Sequence, residues 1–506
     1  MSQNILQSAI RCGIFERNIS LKPFKERVAV QSCVVPSSVI KTDQAIYMLC
    51  EKNGESTFMV LTQYEKSLDA FTGESYTSHE AGVNYIIMEC PVNHANAIAL
   101  REALPWTAPS VLKGKESFGT GDRIGGPSQA TPWHIEACDQ YGVTPVLAQQ
   151  SVRENKKTGR TFESVMDDTS WSVLRSGYKK PWGSDADHLK HMKEIDEAVR
   201  AGFTMFTLDP SDKIDNAADK DSDAKLNKKL AKLFEKSGNL EEFMARYRGV
   251  EGATDEDIVK SCVKYLGAIR HAVKAYKRLV DLKGEGGFNF EMSIDETLTA
   301  TSPLDHRIIA TELQREELDL FSLAPRFEGA FEKGIDYIGS VEDFTQSLKK
   351  HVALSKELGG YRLSLHSGSD KFSVYPAFGE ITDGYYHVKT AGTSYLEAVK
   401  VIALTTPKLF REIYALSYDT FEDNVKYYEI SANIAKAPAK QGFWGKKAAT
   451  AITDNPDLRQ VLHIAFGIVL EQMGGELRAA LCENYETYRK CITEHLGKHL
   501  SLLTGR

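Results

Sequence analysis

The sequence predicts an α/β fold: a (β/α)8 barrel of the TIM-barrel kind, with an N-terminal α/β extension and helical additions at the C-terminus. Three observations carry this. Beyond about residue 110 short apolar stretches alternate with longer helix-compatible segments, about eight such units can be counted, and several stretches end in charged or imidazole side chains. Strand C-terminal ends are where barrels build ligand sites. At 506 residues the chain is long enough for a barrel with additions.

Residues 1–110 form the extension. Ala45-Ile46-Tyr47-Met48-Leu49-Cys50, Thr57-Phe58-Met59-Val60-Leu61 and Tyr85-Ile86-Ile87-Met88-Glu89-Cys90 are spaced like strands between polar turns, and residues 95–104 read as a helix. The barrel occupies 111–506. Its strands are expected at 117–118, 145–150, 204–209, 288–293, 318–324, 361–366, 385–390 and 413–417, each followed by helix-compatible sequence. Eight units favour a closed barrel over an open doubly wound sheet. Two charged segments, near 211–248 and 420–455, read as insertions.

Composition excludes several function classes. Sixty-nine acidic against 62 basic residues leave a net charge of −7 without a long single-sign block, so no nucleic-acid partner is expected. Lys225, Lys228, Lys229, Lys232 and Lys236 sit among acids at helical spacing and read as a solvated helix face. The eight cysteines are dispersed without a CxxC pair, which argues against a disulfide framework or a cysteine-rich zinc site. No apolar run approaches the ~18 residues of a membrane span. With no secretory leader pattern at the start, the cytoplasm is the expected location, and a homo-oligomer is compatible.

In Tyr361-Arg362-Leu363-Ser364-Leu365-His366-Ser367-Gly368-Ser369-Asp370-Lys371 an alternating strand runs into an imidazole, a carboxylate and an ammonium. Unpaired charges are costly in a core, so the strand stops there, and Gly368 permits a sharp exit. Asp209 and Glu291 end two other strands. Asp209, Glu291 and His366 together offer oxygen and nitrogen donors that suit a divalent metal with positions open to substrate. Singly, each has a plainer reading: an acid after a strand is commonly a turn former or helix cap, and a histidine a structural hydrogen-bonding partner.

Asp295 and Glu296 follow Glu291 closely; such acids also serve glycoside hydrolysis, and Asp295 equally fits a helix cap. Gly119-Thr120-Gly121-Asp122-Arg123-Ile124-Gly125-Gly126 is a poor dinucleotide fingerprint, because its third glycine falls one place early and an acid sits in the phosphate cradle. That loop either brings Asp122 and Arg123 to the barrel mouth or is a turn. Arg326 ends a strand with a guanidinium able to clamp a carboxylate, and Lys333 and Asp336 follow it. The plainer alternative there is a surface ion-pair loop, favoured for Glu332 and not for Arg326. Lys389-Thr390 precedes small residues that open a helix, a place for anionic or hydroxyl groups or simply a helix start. Gly183-Ser184-Asp185-Ala186-Asp187-His188 either puts Asp187 and His188 in the site or caps a helix through Ser184 or Asp185.

Gly121-Asp122-Arg123, Ala186-Asp187-His188-Leu189-Lys190, Phe290-Glu291 with Asp295-Glu296, Ala324-Pro325-Arg326-Phe327 through Lys333-Gly334-Ile335-Asp336-Tyr337, Leu365 to Lys371, Lys389-Thr390-Ala391-Gly392-Thr393 and Arg459-Gln460-Val461-Leu462-His463 follow one another between about 120 and 467. In order and wording they resemble the tagaturonate epimerase family. The resemblance implies a barrel enzyme of hexuronate breakdown that interconverts D-tagaturonate and D-fructuronate with a divalent metal (Zn, Mn, Co or Ni). It carries over Glu291 and His366 as ligands, then Asp209 and Asp187.

The inverted carbon lies β to the ketone, so its C–H is not acidified by enolisation. Retro-aldol cleavage and transient oxidation are the two routes, and the poor nucleotide fingerprint favours the first. On the implied roles, the metal acts as Lewis acid, Asp295 or Asp370 takes the hydroxyl proton, and Lys371 can do so only if burial depresses its pKa. Arg326 or Lys389 then holds the substrate carboxylate, with Asp122, Arg123, Lys333 and Thr390 around it. Two other readings compete: another metal-dependent sugar isomerase or aldolase on the same barrel, and a carbohydrate-binding barrel without turnover; whether the preferred substrate is a uronate or its neutral ketose is left open by the residues.

Overall fold

The computed structural model describes residues 2–31, 33–52, 54–126, 129–235 and 239–506. Five strands come first: β1 (Ile40–Lys41), β2 (Ala45–Lys52), β3 (Glu55–Thr62), β4 (Glu74–Glu80) and β5 (Val83–Pro91), in an antiparallel sheet of order β1-β2-β3-β5-β4. Side chains alternate along a strand, so β2, β3 and β5 each feed two cores. Tyr47, Leu49, Phe58 and Val60 pack with Trp171 and Leu174 of the Phe162–Ser176 helix, while Ile46, Met48, Met59 and Leu61 pack with Ile5, Leu6 and Phe24 from the N-terminal helices Ser2–Arg11 and Lys22–Gln31.

Eight parallel strands follow: β6 (Ser117–Gly119), β7 (Thr144–Ser151), β8 (Gly183–Leu189), β9 (Met205–Leu208), β10 (Asn289–Ile294), β11 (Ser322–Pro325), β12 (Arg362–Leu365) and β13 (Tyr386–Lys389). Each pairs with the next, and β13 pairs with β6 to close the barrel. The strands are short and buried on both sides, and their composition alternates. In β10, Phe290, Met292 and Ile294 join the outer apolar layer under the helices, which turns Asn289, Glu291 and Ser293 to the interior. The same alternation turns Asp185 and Asp187 of β8, and His387 and Lys389 of β13, inward. Barrel interiors are ordinarily filled with branched apolar side chains, so a charged interior marks a place where stability has been given up for chemistry.

Two strand expectations are corrected. Residues 413–417 are not a strand but part of the Pro407–Asp419 helix, whose buried Leu409, Phe410, Ile413, Tyr414 and Ser417 follow a 3.6-residue period. The eighth strand is β8, Gly-Ser-Asp-Ala-Asp-His-Leu, whose polarity concealed it: its acids face the polar interior rather than a helix cap. In the segment near 211–248, Lys225, Lys228 and Lys232 lie on the exposed face of the Asp223–Phe234 helix, with Lys229 half-buried and paired to Asp215 at 2.6 Å. Lys236 lies outside the described residues. Among the described residues no helix is long and apolar enough to cross a membrane.

Behind β12, Tyr361 donates its hydroxyl to His306 Nε2 at 2.5 Å, and His306 Nδ1 lies 2.8 Å from His351 Nδ1, all of it buried. Burial pushes His351 down to about 4 and holds His306 well below its usual value, so one neutral imidazole donates to the other. Tyr361→Phe leaves His306 Nε2 unpaired, with an expected loss of about 1–3 kcal/mol in urea unfolding. An unchanged midpoint would show that the chain of hydrogen bonds carries no net stability.

Candidate active site

Five strands send charge or hydrogen-bonding groups into one cluster at the C-terminal end of the barrel. Lys389 Nζ lies 2.7 Å from Asp185 Oδ2, 2.8 Å from Asp187 Oδ1 and 2.7 Å from Glu291 Oε1, and donates to Thr207 Oγ1 at 2.5 Å. Thr207 in turn donates to Asp185 at 2.8 Å, and Ser322 donates to Glu291 Oε2 at 2.5 Å. Burial opposes every charge here, and the pairing outweighs it. The three carboxylates raise Lys389 well above the usual lysine value, while Lys389 and His366 hold Glu291 well below the carboxylate range. Asp185, the least compensated, is pushed by burial up to about 6.

Above this layer stand two imidazoles and a further acid. His366, the first residue after β12, has Nε2 2.7 Å from Glu291 Oε1 and Nδ1 3.2 Å from Asp295 Oδ1. His188 Nδ1 lies 2.9 Å from Asp187 Oδ1, and the two imidazole rings are 5.0 Å apart. A regular strand would send His188 to the outer face beside Ala186. Its left-handed backbone, φ 55°, and the register shift between Ala186 and Leu189 turn it inward, so that consecutive Asp187 and His188 share the mouth. Gly368 shapes the same exit: a Cβ there would meet Val388 at 2.7 Å.

These groups fit a divalent cation. One donor atom from each of His188, Asp295 and His366 lies within 4.8 Å of the others. The Nδ1 atoms of His366 and His188 are buried without a well-directed hydrogen bond, although each ring has a carboxylate against it. A carboxylate on one imidazole nitrogen fixes the tautomer and frees the other for a metal. The surroundings favour positive charge as well: against its burial, His188 is raised by Asp187 and Asp295 to about 10, and His366 is raised by Asp295 and Glu291, so a cation binding there displaces a proton from each ring. Asp295 is lowered by the two imidazoles despite burial, which keeps it ionised as a ligand must be.

The remaining candidate residues divide by their partners. Lys333 reaches the mouth half-buried and donates to Ser367 Oγ at 2.8 Å; burial lowers its pKa against the pull of Glu154. Arg123 is ion-paired with Glu154, through Nε at 3.0 Å, and lies 4.0 Å over the Phe466 ring. Asp122 caps the backbone of Ile124, Gly125 and Ala130, and Thr390 donates to Gly119 O at 2.8 Å. Arg326 Nη1 donates to Thr297 O. Asp209 does end β9, yet its carboxylate accepts from Ser211 N at 2.9 Å and pairs with Lys190 at 3.4 Å, away from the imidazoles.

Asp370 is buried between Arg459 at 2.9 Å and His495 at 2.8 Å. Lys371 donates to the carbonyls of Glu332, Ile335 and Ser369, and burial pushes it down to about 7. Glu291, His366, Asp295, Lys389 and Lys333 therefore gather at the mouth, whereas Asp209, Asp370 and Lys371 face protein groups.

The sequence profile of the tagaturonate epimerase family matches residues 35–503. The chain belongs to the tagaturonate epimerase family. It is an epimerase, and the family accounts for both the barrel and the N-terminal sheet. The chain is 38% identical over 491 residues, 96% of this chain and 100% of the relative, to the tagaturonate/fructuronate epimerase of Thermotoga maritima. Among solved structures it resembles the native fructuronate-tagaturonate epimerase of Cohnella laeviribosi, at 33% identity over 96% of this chain and 99% of that one, with a TM-score of 0.85. A glycerol complex of the same Cohnella epimerase matches with a TM-score of 0.85 over 95% of this chain and 99% of that one.

Asp185, Thr207 and Ser322 join this cluster and Glu154 pairs with Arg123; the sequence pattern offers Asp185 only as a helix cap and does not point to the other three. For Asp185 there was a usable signal: Asp185 and Asp187 are two apart, and residues two apart on a strand share a face.

Proposed function

We propose that this epimerase interconverts D-tagaturonate and D-fructuronate by cleaving and re-forming the bond to the carbon β to the ketone. The observation that supports it is the juxtaposition at one mouth of a cation-favouring trio, His188, Asp295 and His366, with the half-buried ammonium of Lys333. Lys333 is the better partner for the substrate carboxylate. Lys389 already faces three carboxylates, and Arg326 is tied to Thr297 O.

Asp295 takes the hydroxyl proton at the β carbon. Asp370 and Lys371, the other candidates for that step, are closed in by Arg459 and by backbone carbonyls, whereas the Asp295 side chain is 22% exposed. The electrons of the O–H bond form the aldehyde, the carbon–carbon bond breaks, and its electron pair passes to the ketone side. After the aldehyde turns its other face, the bond re-forms and Asp295 returns the proton. The imidazoles lower the Asp295 pKa, so it is a weak acceptor and the hydroxyl must be acidified as it transfers. His188, Asp295 and His366 would hold a divalent cation, which would supply that Lewis acidity. Glu291 and Asp187 orient the two imidazoles, and Lys389 keeps those carboxylates ionised and in place.

In deuterium oxide, tagaturonate is expected to yield fructuronate without carbon-bound deuterium, read by proton NMR. Stoichiometric incorporation would overturn the cleavage route, and tagaturonate left unchanged by the metal-loaded protein would overturn the substrate.

A further inference from the structure

Lys333 stands on residues 331–336, a segment with neither helix nor strand to hold it. Side chains from elsewhere hold it. Lys371 Nζ donates to Glu332 O at 2.8 Å and Ile335 O at 2.5 Å, Gln460 Nε2 to Lys333 O at 3.2 Å, and Arg459 Nε to Gly334 O at 2.5 Å. Four consecutive carbonyls are thus each taken by a side chain from the exit of β12 or from the Pro456–Ile464 helix. Asp370 braces the arrangement, pairing Arg459 on one side and His495 of the Tyr485–Thr504 helix on the other.

From this cage we infer that Lys371, with Gln460 and Arg459, positions Lys333 for the substrate carboxylate, so that the C-terminal helices form part of the recognition of an acidic sugar. The inference rests on the reading of Lys333 given above. An ammonium has three N–H groups, and Lys371 spends them on three carbonyls, the third being Ser369 O at 2.9 Å. Nothing is left over for substrate, so Lys371 acts through the loop. Fixing one end of the segment to the β12 exit, next to Ser367, sets where the Lys333 ammonium stands relative to His366.

The test is a double-mutant cycle on the full-length, metal-loaded protein with tagaturonate as substrate. Lys333→Met is expected to raise KM about tenfold or more, Lys371→Met to raise it about tenfold with kcat within about threefold, and the double variant to exceed Lys333→Met by no more than about twofold. Gln460→Leu, a milder change, is expected to raise KM about threefold and likewise to add little to Lys333→Met. It decides the matter if Lys371→Met does not fold. Unchanged KM in Lys333→Met would overturn the carboxylate reading itself. If Lys333→Met raises KM while Lys371→Met or Gln460→Leu leaves it unchanged, lowers only kcat, or multiplies its effect on top of Lys333→Met, the positioning role is overturned.

Discussion

Replacing Lys389 with methionine is expected to abolish turnover and to cost about 3–5 kcal/mol of folding stability, because it strands buried charges without a partner. Three carboxylates lie within 2.8 Å of the Lys389 ammonium, and Asp185 and Glu291 have no exposed side-chain surface. Water cannot replace the lost cation at full strength in the barrel interior, and Thr207 offers only a hydroxyl. The carboxylates then repel one another, and Glu291 and Asp187 no longer hold His366 and His188. Urea unfolding and steady-state rates of Lys389→Met measure the two effects. Adding Glu291→Gln removes one of the stranded charges, so the double variant is expected to recover part of the stability and none of the activity. A Lys389→Met protein as stable as the parent would show that the interior carboxylates are not ionised.

The barrel was legible because its outer layer obeys a simple rule. Phe290, Met292 and Ile294, or Leu363 and Leu365, alternate with small or polar residues, and each such stretch precedes a helix. The two misplacements come from opposite extremes of that rule. In β8 the inward residues are aspartates, and only Ala186 and Leu189 mark the apolar side, so hydrophobicity alone could not reveal a strand. In Ile413 to Ser417 the residues belong to a helix buried on one side, and a five-residue window cannot separate period 2 from period 3.6.

The site shows the same division. A strand end brings a side chain to the mouth, but where its polar atoms go depends on partners distant in sequence. Asp209 is drawn into the turn at Ser211. Asp370 is captured by Arg459 and His495, which lie 89 and 125 residues further on. His188 reaches the mouth only through a left-handed backbone and a register shift, neither of which the residue pattern announces.

The second large effect separates ligands from their supports. His188→Ala, His366→Ala and Asp295→Asn are each expected to leave the purified protein nearly free of bound metal and inactive, since the first two remove a donor from a three-donor site and the third removes the charge of its single carboxylate. Glu291→Gln is expected to behave differently. Glu291 meets His366 through Nε2, the nitrogen turned away from Asp295, so it fixes the ring and its basicity rather than offering the donor atom. Losing such a partner typically costs 10–100-fold in metal affinity, so this variant should lose metal on dialysis yet regain it at a raised concentration. Asp209→Asn should retain metal through the same dialysis, because its carboxylate is committed to Ser211 and Lys190. Elemental analysis after dialysis, followed by titration with Zn or Mn, reads all five. Full metal content in Asp295→Asn together with none in Asp209→Asn would place the ion on the other side of the mouth. The role of Asp295 would then shrink to proton transfer alone, and its depressed pKa would have to rise on substrate binding for it to accept a proton at all.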